Sequence, residues 1–579
     1  MIEIPKSVLL ELRRELRALP AKKRIDRILE RKDALRVVRS LPVHDLYATI
    51  REVGIGDSLE LLELTSAKQV QAFLDLDGWR GDRIDSGAMA TWLSALMAAN
   101  ADRAVGQIRG LDLELITLLF KLHCRVYDLA AEEDPEEDDI GIHSITPDQR
   151  YLIVYGGVGD DEDMNAVLKE AIDRMCGRDM LFVLRLCEAL RWELPSSLEE
   201  ESFRWRNARL ADLGFLPRHE ALEVLSWRDP DAALVPTTPL ASGRPPPTVH
   251  DEDALSTDLS TSVVFPWDAL KDGAAAFAQA ARDINDEGRE RVAHEIMLTA
   301  NRVHAAEGGD AGDPEAVRGT ARQVIDTVGV ALSYRAQGDP ARLGPLLATT
   351  AAVTLFRVGH SLSLKLQREL RARVEARDSG LSGHGLLRLD SPLREVAAGL
   401  LRPRPLLYCG LLDAKRLDFR PPSSLLELAA LSRAIAEIGF RGALLGARGL
   451  GLDDAKLAAL GEADAAEQPS HGGILGAMLV RSLALGAAAL GDGPADEDTL
   501  AKARKPLEQA LARAEAIDAL AQRAQAFAPL PGAPTVDDVD KRVRAYATQV
   551  LEAISAELRF VDADPDRRFV TTVWLKRGR

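Results

Sequence analysis

The stretch LPVHDLYATIREVGIGDSLELLELTSAKQVQAFLDLDGWRGDRID, residues 41–85, decides the fold class. Short apolar runs recur here at helical spacing, and glycines or capping residues separate them. Helices this short gain most of their stability by burying their apolar faces against one another. We therefore expect stacked helical hairpins in the N-terminal part of the chain.

Two Ser-x-x-Gln or Ser-x-x-Glu phrases mark expected helix starts. Ser66 with Gln69 and Ser197 with Glu200 match the capping box, in which two side chains satisfy exposed backbone amides reciprocally. We expect helices to begin near residues 66 and 197, and the second helix to end at Gly214.

The composition of the whole chain also favours helix. Its 579 residues exceed what one hydrophobic core normally holds, so two or more domains are expected. Aromatic residues make up only 5%, whereas Ala, Leu, Arg and Glu are abundant, and the unbranched side chains among them lose little rotamer freedom in helices. The predicted fold is mainly α, with stacked helical hairpins, a second helical domain and minor β-hairpin elements.

A change of periodicity near residue 140 predicts a small β-hairpin. The sequence turns at Pro147 and continues as RYLIVYGG, in which Tyr151, Ile153 and Tyr155 share one face. Alternation with period 2 on either side of a Pro-Asp turn is typical of two antiparallel strands. We expect this hairpin near residues 140–157.

Proline content sets the predicted domain boundary. Residues 230–262 hold six prolines among Ser, Thr, Gly and Asp, and proline blocks helix because it lacks the amide proton. This segment is therefore expected to be a linker. The predicted parts are an N-terminal helical domain (1–229), the linker (230–262), a C-terminal helical domain (263–530) and a C-terminal helix and strand (531–579).

The net charge of −17 argues against a general nucleic-acid binder. Affinity for phosphate backbones depends on clustered Lys and Arg, which release counterions. Residues 1–39 depart from the average, with twelve basic against six acidic residues. However, Leu12, Leu16 and Ile25 lie on one apolar face, so we expect this segment to pack on the domain.

Cysteine usage and hydropathy predict a cytoplasmic protein. The four cysteines lack CxxC spacing, which suits a reducing compartment. Charges interrupt the N-terminal residues, so no signal peptide is expected. Residues 472–491 approach membrane-spanning length, but Arg481 and five glycines favour a buried core helix. No transmembrane segment is predicted.

Three phrases resemble one bacterial family, known as domain of unknown function 6178. They are LLELTSAKQVQAFLDLDGWRGD (61–82), FRWRNARLADLGFLPRHEALEVL (203–225) and LRPRPLLYCG (401–410). The resemblance implies a bacterial, cytoplasmic protein and supplies no site residues, because the family has no established activity. The helical repeats near residues 41–129 are also similar to the cytosolic superhelical domain of E-type magnesium transporters. No transporter membrane domain is predicted here, so cation sensing does not carry over.

A cluster of carboxylates suggests a calcium loop, since hard cations prefer oxygen ligands. Its spacing departs from the EF-hand pattern, because Trp79 stands at a ligand position and Ser86 stands where a glutamate should close the site. We expect Trp79 to pack across a hairpin, and a metal or ligand remains the alternative. The four aspartates are Asp75, Asp77, Asp82 and Asp85.

Other chemical motifs fail on spacing. His294, Glu295 and His304 resemble a zincin helix in composition, but its two histidines must lie four residues apart to reach one zinc ion. Ten residues apart, these histidines diverge by about 80° around the helix. The phosphate-loop pattern GxxxxGK[ST] is absent. Metal binding is therefore not expected; no catalytic, cofactor-binding or metal-binding residue is predicted, and any cofactor is unknown.

A polar and aromatic helix gives the best candidate contact surface. Trp205, Arg209 and Asp212 fall on one face, so Arg209 is expected to stack on the indole and pair with the carboxylate. This arrangement is either a structural clasp or an anchor for a partner. His294 and Asn301 also share a helix face, as a buried polar contact or a ligand-facing stripe. The candidate partner or ligand surface comprises Trp79, Trp205, Arg206, Arg209, His294, Glu295 and Asn301.

Two functional hypotheses follow. The first is a non-catalytic interaction or regulatory protein with a protein partner, because stacked helices expose extended grooves. The alternative is an enzyme or small-ligand-binding protein with a site at the junction of the two helical halves. A deep pocket where Arg206, Arg209, His294 or Glu295 converge favours the alternative. A broad apolar groove without clustered titratable groups favours the first.

Overall fold

The computed structural model describes most of the chain and divides it into two compact units, Met1–Val358 and Gly359–Arg579. The predicted linker at 230–262 lies largely outside the described residues. These are residues 6–131, 133, 135, 141–156, 162–234, 264–266, 274–377, 379–382, 384–452, 456, 469–560 and 570–576.

The described part of the chain is mainly α-helical, with three small antiparallel sheets, as predicted. The helices that lie wholly in the first unit are α1 (Lys6–Arg17), α2 (Ala21–Leu29), α3 (Ala34–Ser40), α4 (Val43–Val53), α5 (Leu59–Glu63), α6 (Ala67–Asp77), α7 (Ser86–Arg109), α8 (Leu113–His123), α9 (Glu162–Arg178), α10 (Met180–Trp192), α11 (Pro195–Asp212), α12 (Arg218–Ala221), α13 (Ala275–Arg282), α14 (Asp286–Ala306), α15 (Pro314–Ala336) and α16 (Leu343–Thr349).

The unit boundary falls within α17 (Ala352–Glu375). The remaining helices belong to the second unit: α18 (Leu393–Leu400), α19 (Leu425–Leu445), α20 (His471–Leu485), α21 (Glu497–Glu508), α22 (Ala510–Gln525) and α23 (Val536–Leu558). The strands are β1 (Trp79–Arg80), β2 (Arg83–Ile84), β3 (Cys124–Asp128), β4 (His143–Ile145), β5 (Tyr151–Tyr155), β6 (Leu407–Tyr408) and β7 (Phe419–Arg420).

One of the two predicted capping boxes is present. Ser66 caps α6, and its side chain and that of Gln69 each accept a hydrogen bond from the other's backbone amide. The prediction that Ser197 caps a helix is wrong by two to three residues. Helix α11 begins at Pro195, whose fixed φ and missing amide proton suit the first helical position.

The predicted hairpin is confirmed and belongs to a larger sheet. Strands β4 and β5 pair antiparallel on either side of the Pro147 turn. The sequence did not predict β3, which pairs with the other edge of β5 and makes it the central strand. All five residues of β5 are buried as a result.

The core of the first unit joins residues that are far apart in sequence. Tyr47, Phe73 and Trp92 pack together with ring centroids 5.3–6.2 Å apart. The Tyr47 hydroxyl donates a hydrogen bond to the Gly312 carbonyl, 265 residues later, at 2.8 Å. Helices α13 to α16 therefore belong to the same unit as the N-terminal helices.

The second unit has two hydrophobic clusters, one around α20 to α23 and one around α18 and α19. Helix α20 is buried, as predicted, but it ends at Leu485 instead of continuing to Gly491. Arg481 donates to the carbonyls of Gly491 and Pro494. Across the described ranges, no helix is long and apolar enough to cross a membrane.

The predicted C-terminal strand is reduced to one bridge within residues 570–576. Leu575 bridges Ala495, while the Trp574 amide donates to the Gly473 carbonyl at 2.9 Å. Val573 is buried in the core of the second unit. This segment satisfies its backbone groups against a helix start and a loop, so no paired strand forms there.

Candidate functional site

An exposed aromatic and apolar surface lies where α10 passes into α11. Trp192 ends α10 and is 73% exposed, and Leu194, which precedes α11, is 65% exposed. Trp205 lies farther along α11 and is 46% exposed. We call Trp192, Leu194 and Trp205 the tryptophan surface. Large apolar side chains exposed on neighbouring turns are candidates for a contact surface.

The backbone between the two helices sets the direction of these side chains. Glu193 and Leu194 are extended, with φ/ψ of −74°/142° and −84°/134°. Residues two apart on an extended backbone point to the same side, so Trp192 and Leu194 share a face. Leu198 is buried one turn into α11 and anchors the start of the helix. Trp192 and Leu194 are therefore presented by a short extended connection that Leu198 anchors to the core.

The same face continues along α11. Leu194, Glu201 and Trp205 are spaced by seven and four residues, which places them within a narrow stripe at 100° per residue. All three are exposed. Eleven residues at 1.5 Å rise give a stripe about 16 Å long, enough for three turns of a partner helix.

Acidic residues outnumber basic residues in the segment that carries Trp192 and Leu194. Residues 188–201 contain five glutamates and one arginine. That arginine, Arg191, is already neutralised, because it pairs with Asp128 at 3.2 Å and with Glu133 at 2.7 Å. The glutamates are Glu188, Glu193, Glu199, Glu200 and Glu201.

Hydrogen bonds keep the nearby carboxylates ionised. The Tyr151 hydroxyl donates to Glu188 and lowers the pKa of that carboxyl, and the Trp192 indole donates to it at 3.1 Å. The backbone amide of Asp128, followed by Arg191, lowers the pKa of Glu133. Arg150 pairs with Glu188 at 3.0 Å and Arg191 pairs with Glu133 at 2.7 Å, so the remaining glutamates of residues 188–201 supply the net negative charge of this segment.

Two of the predicted site residues, Arg206 and Arg209, bind Asp75, which is buried, and Trp79 lies beside Arg206. Arg209 binds its carboxylate through two parallel hydrogen bonds, Nε to Oδ2 at 2.6 Å and Nη2 to Oδ1 at 2.9 Å. Arg206 donates to the Asp75 carbonyl at 2.7 Å and lies 5.4 Å from the centroid of the Trp79 ring system. Trp79 is buried in the β1–β2 hairpin, a pair of strands that the sequence did not predict.

The predicted partners of Arg209 are wrong. Its guanidinium pairs with Asp75 and Asp112 instead of Asp212. A carboxylate withdrawn from water needs an ionic partner far more than the exposed Asp212 does. Trp205 instead has the guanidinium of Arg204 over its ring, at 5.3 Å.

The other three predicted residues lie on α14. Asn301 is fully buried and donates to the Leu213 carbonyl at 2.6 Å. Asn301 therefore makes a buried polar contact, which is one of the two alternatives given above, the other being a ligand-facing stripe. Glu295 accepts a hydrogen bond from the Ala352 amide at 2.8 Å. His294 is half-buried on the same helix. Neither of the two cavities described below is lined by these residues or by Trp79, Arg206 and Arg209.

Carboxylates of the calcium-like loop have separate roles. Asp75 binds Arg209, whereas Asp77 accepts from Trp92 at 2.9 Å and pairs with Arg51 at 3.1 Å. Asp85 caps α7 through the Ala88 amide at 3.0 Å. Among the described residues, no group of three or more His, Cys, Asp or Glu side chains is arranged to hold a metal ion.

Two cavities are lined by arginines rather than by the predicted residues. The cavity of the first unit has a volume of about 450 Å³, and that of the second unit about 380 Å³. Their arginines are Arg39, Arg103 and Arg178 in the first, and Arg373, Arg377 and Arg448 in the second.

Sequence reasoning missed Trp192 and Leu194. A signal was present, since an apolar pair beside Pro195 and a run of three glutamates marks an exposed helix start. The arginines of the cavities gave no comparable signal, because they come together only through tertiary packing.

Comparison with known proteins gives one match. The model of a family described as "Family of unknown function (DUF6178)" matches residues 4–576. No curated protein and no solved structure matches the chain at a significant level, so the likeness to the magnesium transporter domain has no support from them.

Proposed function

We propose a function for this chain, which belongs to the family of unknown function DUF6178. The proposed function is that of a non-catalytic interaction protein. Its first unit docks a basic and partly apolar segment of a protein partner on the tryptophan surface. The observation that carries this proposal is the exposure of Trp192 and Leu194 on a short anchored connection within an acidic segment.

The composition of the surface favours a protein partner. Tryptophan is enriched among the residues that contribute most to binding, because it buries a large area at a small entropic cost. The stripe from Leu194 to Trp205 matches the length of a short helix laid along α11.

The charge of the surface selects the partner. Opposite charges steer encounter and exclude wrong partners, and the glutamates of residues 188–201 would meet Lys or Arg side chains. A partner helix with apolar residues on one face and basic residues beside them satisfies both features.

A peptide-binding measurement tests this proposal. A helix-forming peptide with leucines on one face and lysines on the flanks is the probe, and the same peptide with glutamates in place of lysines is its control. Fluorescence anisotropy should show binding of the lysine peptide alone, weakening as salt is added. Trp192→Ser and Leu194→Ser should each weaken binding about tenfold or more.

The matched control is Leu511→Ser, which removes an equally exposed apolar side chain from the second unit. Its affinity should equal that of the unchanged protein. Equal binding of both peptides, or unchanged binding by the Trp192 variant, would refute the proposal.

A small-ligand-binding protein is the second candidate, and the arginine-lined cavity of the first unit favours it. The two functions are compatible in one regulatory protein. Turnover of a substrate at a rate that tracks variants of this cavity would favour an enzyme instead.

We also propose that the protein is cytoplasmic, on the basis of its cysteines; a bacterial source is what the family resemblance implies. Cys124, Cys176, Cys187 and Cys409 are all unpaired, which suits a reducing compartment. Fractionation of the native cells tests this assignment, and recovery from the periplasm would contradict it.

A further inference from the structure

A break in α7 builds one wall of the 450 Å³ cavity of the first unit. Asn100 leaves the helical conformation, with φ −165° and ψ 98°. Its side-chain oxygen accepts from the Arg103 amide at 3.1 Å and restarts the helix, while its amide nitrogen donates to Glu63 at 3.1 Å. The break therefore turns Asp102 and Arg103 toward the end of α5.

The floor of this cavity is rigid. The Gln107 amide nitrogen donates to the carbonyls of Leu62 at 3.1 Å and Thr65 at 2.8 Å, and also reaches the Thr65 hydroxyl at 3.0 Å. Both Gln107 and Thr65 are buried. A ligand would meet a preformed surface, which reduces the entropy lost on binding.

Positive charge exceeds negative charge at the cavity. Arg103 contacts Glu63 only at 3.4 Å, longer than a typical charge-assisted hydrogen bond. Arg178 pairs with Asp102 at 3.2 Å. Arg39, on α3, has no carboxylate within ion-pair distance among the described residues. Each guanidinium carries five N–H donors, so donors remain available on all three arginines.

We propose that this cavity binds the phosphate monoester of a small organic molecule. Three arginines that line the cavity from different elements suit a dianion with several acceptor oxygens. The volume lies in the range of small-molecule sites, and Leu35 and Ala67 supply an apolar wall for the organic part. This inference is independent of the tryptophan surface, because different residues carry it.

Calorimetry with phenyl phosphate as the probe tests the proposal on the full-length chain. Benzoate and inorganic phosphate are the comparison ligands. Phenyl phosphate should bind with one-to-one stoichiometry and more tightly than either. Equal affinity for benzoate would overturn the phosphate assignment, and equal affinity for inorganic phosphate would overturn the organic monoester.

Two substitutions should change the affinity for phenyl phosphate in opposite directions. A general loss of structure would instead weaken binding in both variants. Arg39→Gln should weaken phenyl phosphate binding about tenfold or more, because one charge-assisted interaction is lost. Glu63→Gln keeps an acceptor for Asn100 but frees Arg103, and should tighten binding about threefold.

The matched control is Arg36→Gln, on the same helix as Arg39 but not lining the cavity. It should leave the affinity unchanged. Arg39 is exposed, so its variant should keep the thermal midpoint of the unchanged protein. Equal weakening by Arg36→Gln and Arg39→Gln, or absence of stoichiometric binding, would overturn the proposal.

Discussion

Arg209 and Asp75 form a bidentate ion pair across the first unit, although 134 residues separate them in sequence. The pair fastens α11 to α6, and Arg206 adds a hydrogen bond to the carbonyl of the same aspartate. The helix that carries Trp205 is therefore held by buried charge, not only by apolar contact.

Removing the guanidinium should destabilise the first unit strongly. In Arg209→Met, Asp75 stays buried without its ionic partner, so the free energy of unfolding should fall by about 3 to 5 kcal/mol. The control is Arg80→Gln, which breaks the exposed pair with Asp85 and should leave the free energy of unfolding nearly unchanged, because solvent screens an exposed pair. Urea unfolding measures both. Equal losses would show that burial does not decide the strength of this pair.

Adding a side chain at Gly214 should destabilise the first unit. Its φ is +89°, and an added Cβ would lie 3.1 Å from the Leu298 carbonyl oxygen. Gly214→Ala should therefore cost about 2 to 4 kcal/mol, from backbone strain and crowding together.

Gly308→Ala isolates the backbone part of that cost. Gly308 has a similar φ of +76°, but an added Cβ would meet open space. Its loss should be about 1 kcal/mol. Thermal unfolding compares the two variants, and a Gly308 loss as large as the Gly214 loss would mean that crowding contributes nothing.

His44 should make the first unit less stable in acid. Burial lowers the pKa of His44 from 6.5 to about 4, so the folded chain keeps the imidazole neutral while the unfolded chain takes up a proton. Its contribution is complete above pH 6.5 and is lost as the pH falls toward 4. The loss at pH 4 is on the order of 3 kcal/mol, because one pKa unit corresponds to about 1.4 kcal/mol.

His44→Phe retains a ring beside Phe215, whose centroid lies 5.6 Å away, but cannot take up a proton. Its unfolding free energy should fall less steeply between pH 6.5 and 4. The exposed His219 is the control, and His219→Gln should leave the slope unchanged. A slope that is the same in all three proteins would contradict the assignment.

Two cysteines should be inert in the native protein. Burial raises the pKa of Cys187 to about 12 and that of Cys124 even further, so neither forms the reactive thiolate at neutral pH. Mass spectrometry after treatment with a thiol reagent should find both unmodified until urea unfolds the chain. An introduced cysteine at the exposed Ser197 should react at once. Rapid native modification of Cys187 would show that the site opens.

Local rules predicted the helical elements of the described chain well. The Ser66 capping box and the buried helix around Arg481 depend on residues that are neighbours in sequence, so the sequence contains the information that places them. Strand β3 was missed because it follows α8 directly, without the turn residues that normally separate a helix from a strand.

Long-range partners were not predictable in the same way. The spacing on the helix predicted that Arg209 pairs with Asp212. In the folded chain Arg209 pairs instead with the buried carboxylate of Asp75, which binds it more strongly. The same holds for the arginine-lined cavity, where Arg39, Arg103 and Arg178 come from three different helices. Residue spacing within one helix does not predict contacts between side chains on different helices.

The hydrogen bond from Tyr47 to Gly312 also has a consequence for synthesis. At 5 to 20 residues per second, the ribosome needs about 10 to 50 s to add the 265 residues that separate the two. During that interval the part of the α4 surface that later packs against the segment around Gly312 is exposed to solvent. Nascent-chain chaperones would have their greatest effect in this window, and a gene fragment ending near residue 229 should yield aggregates.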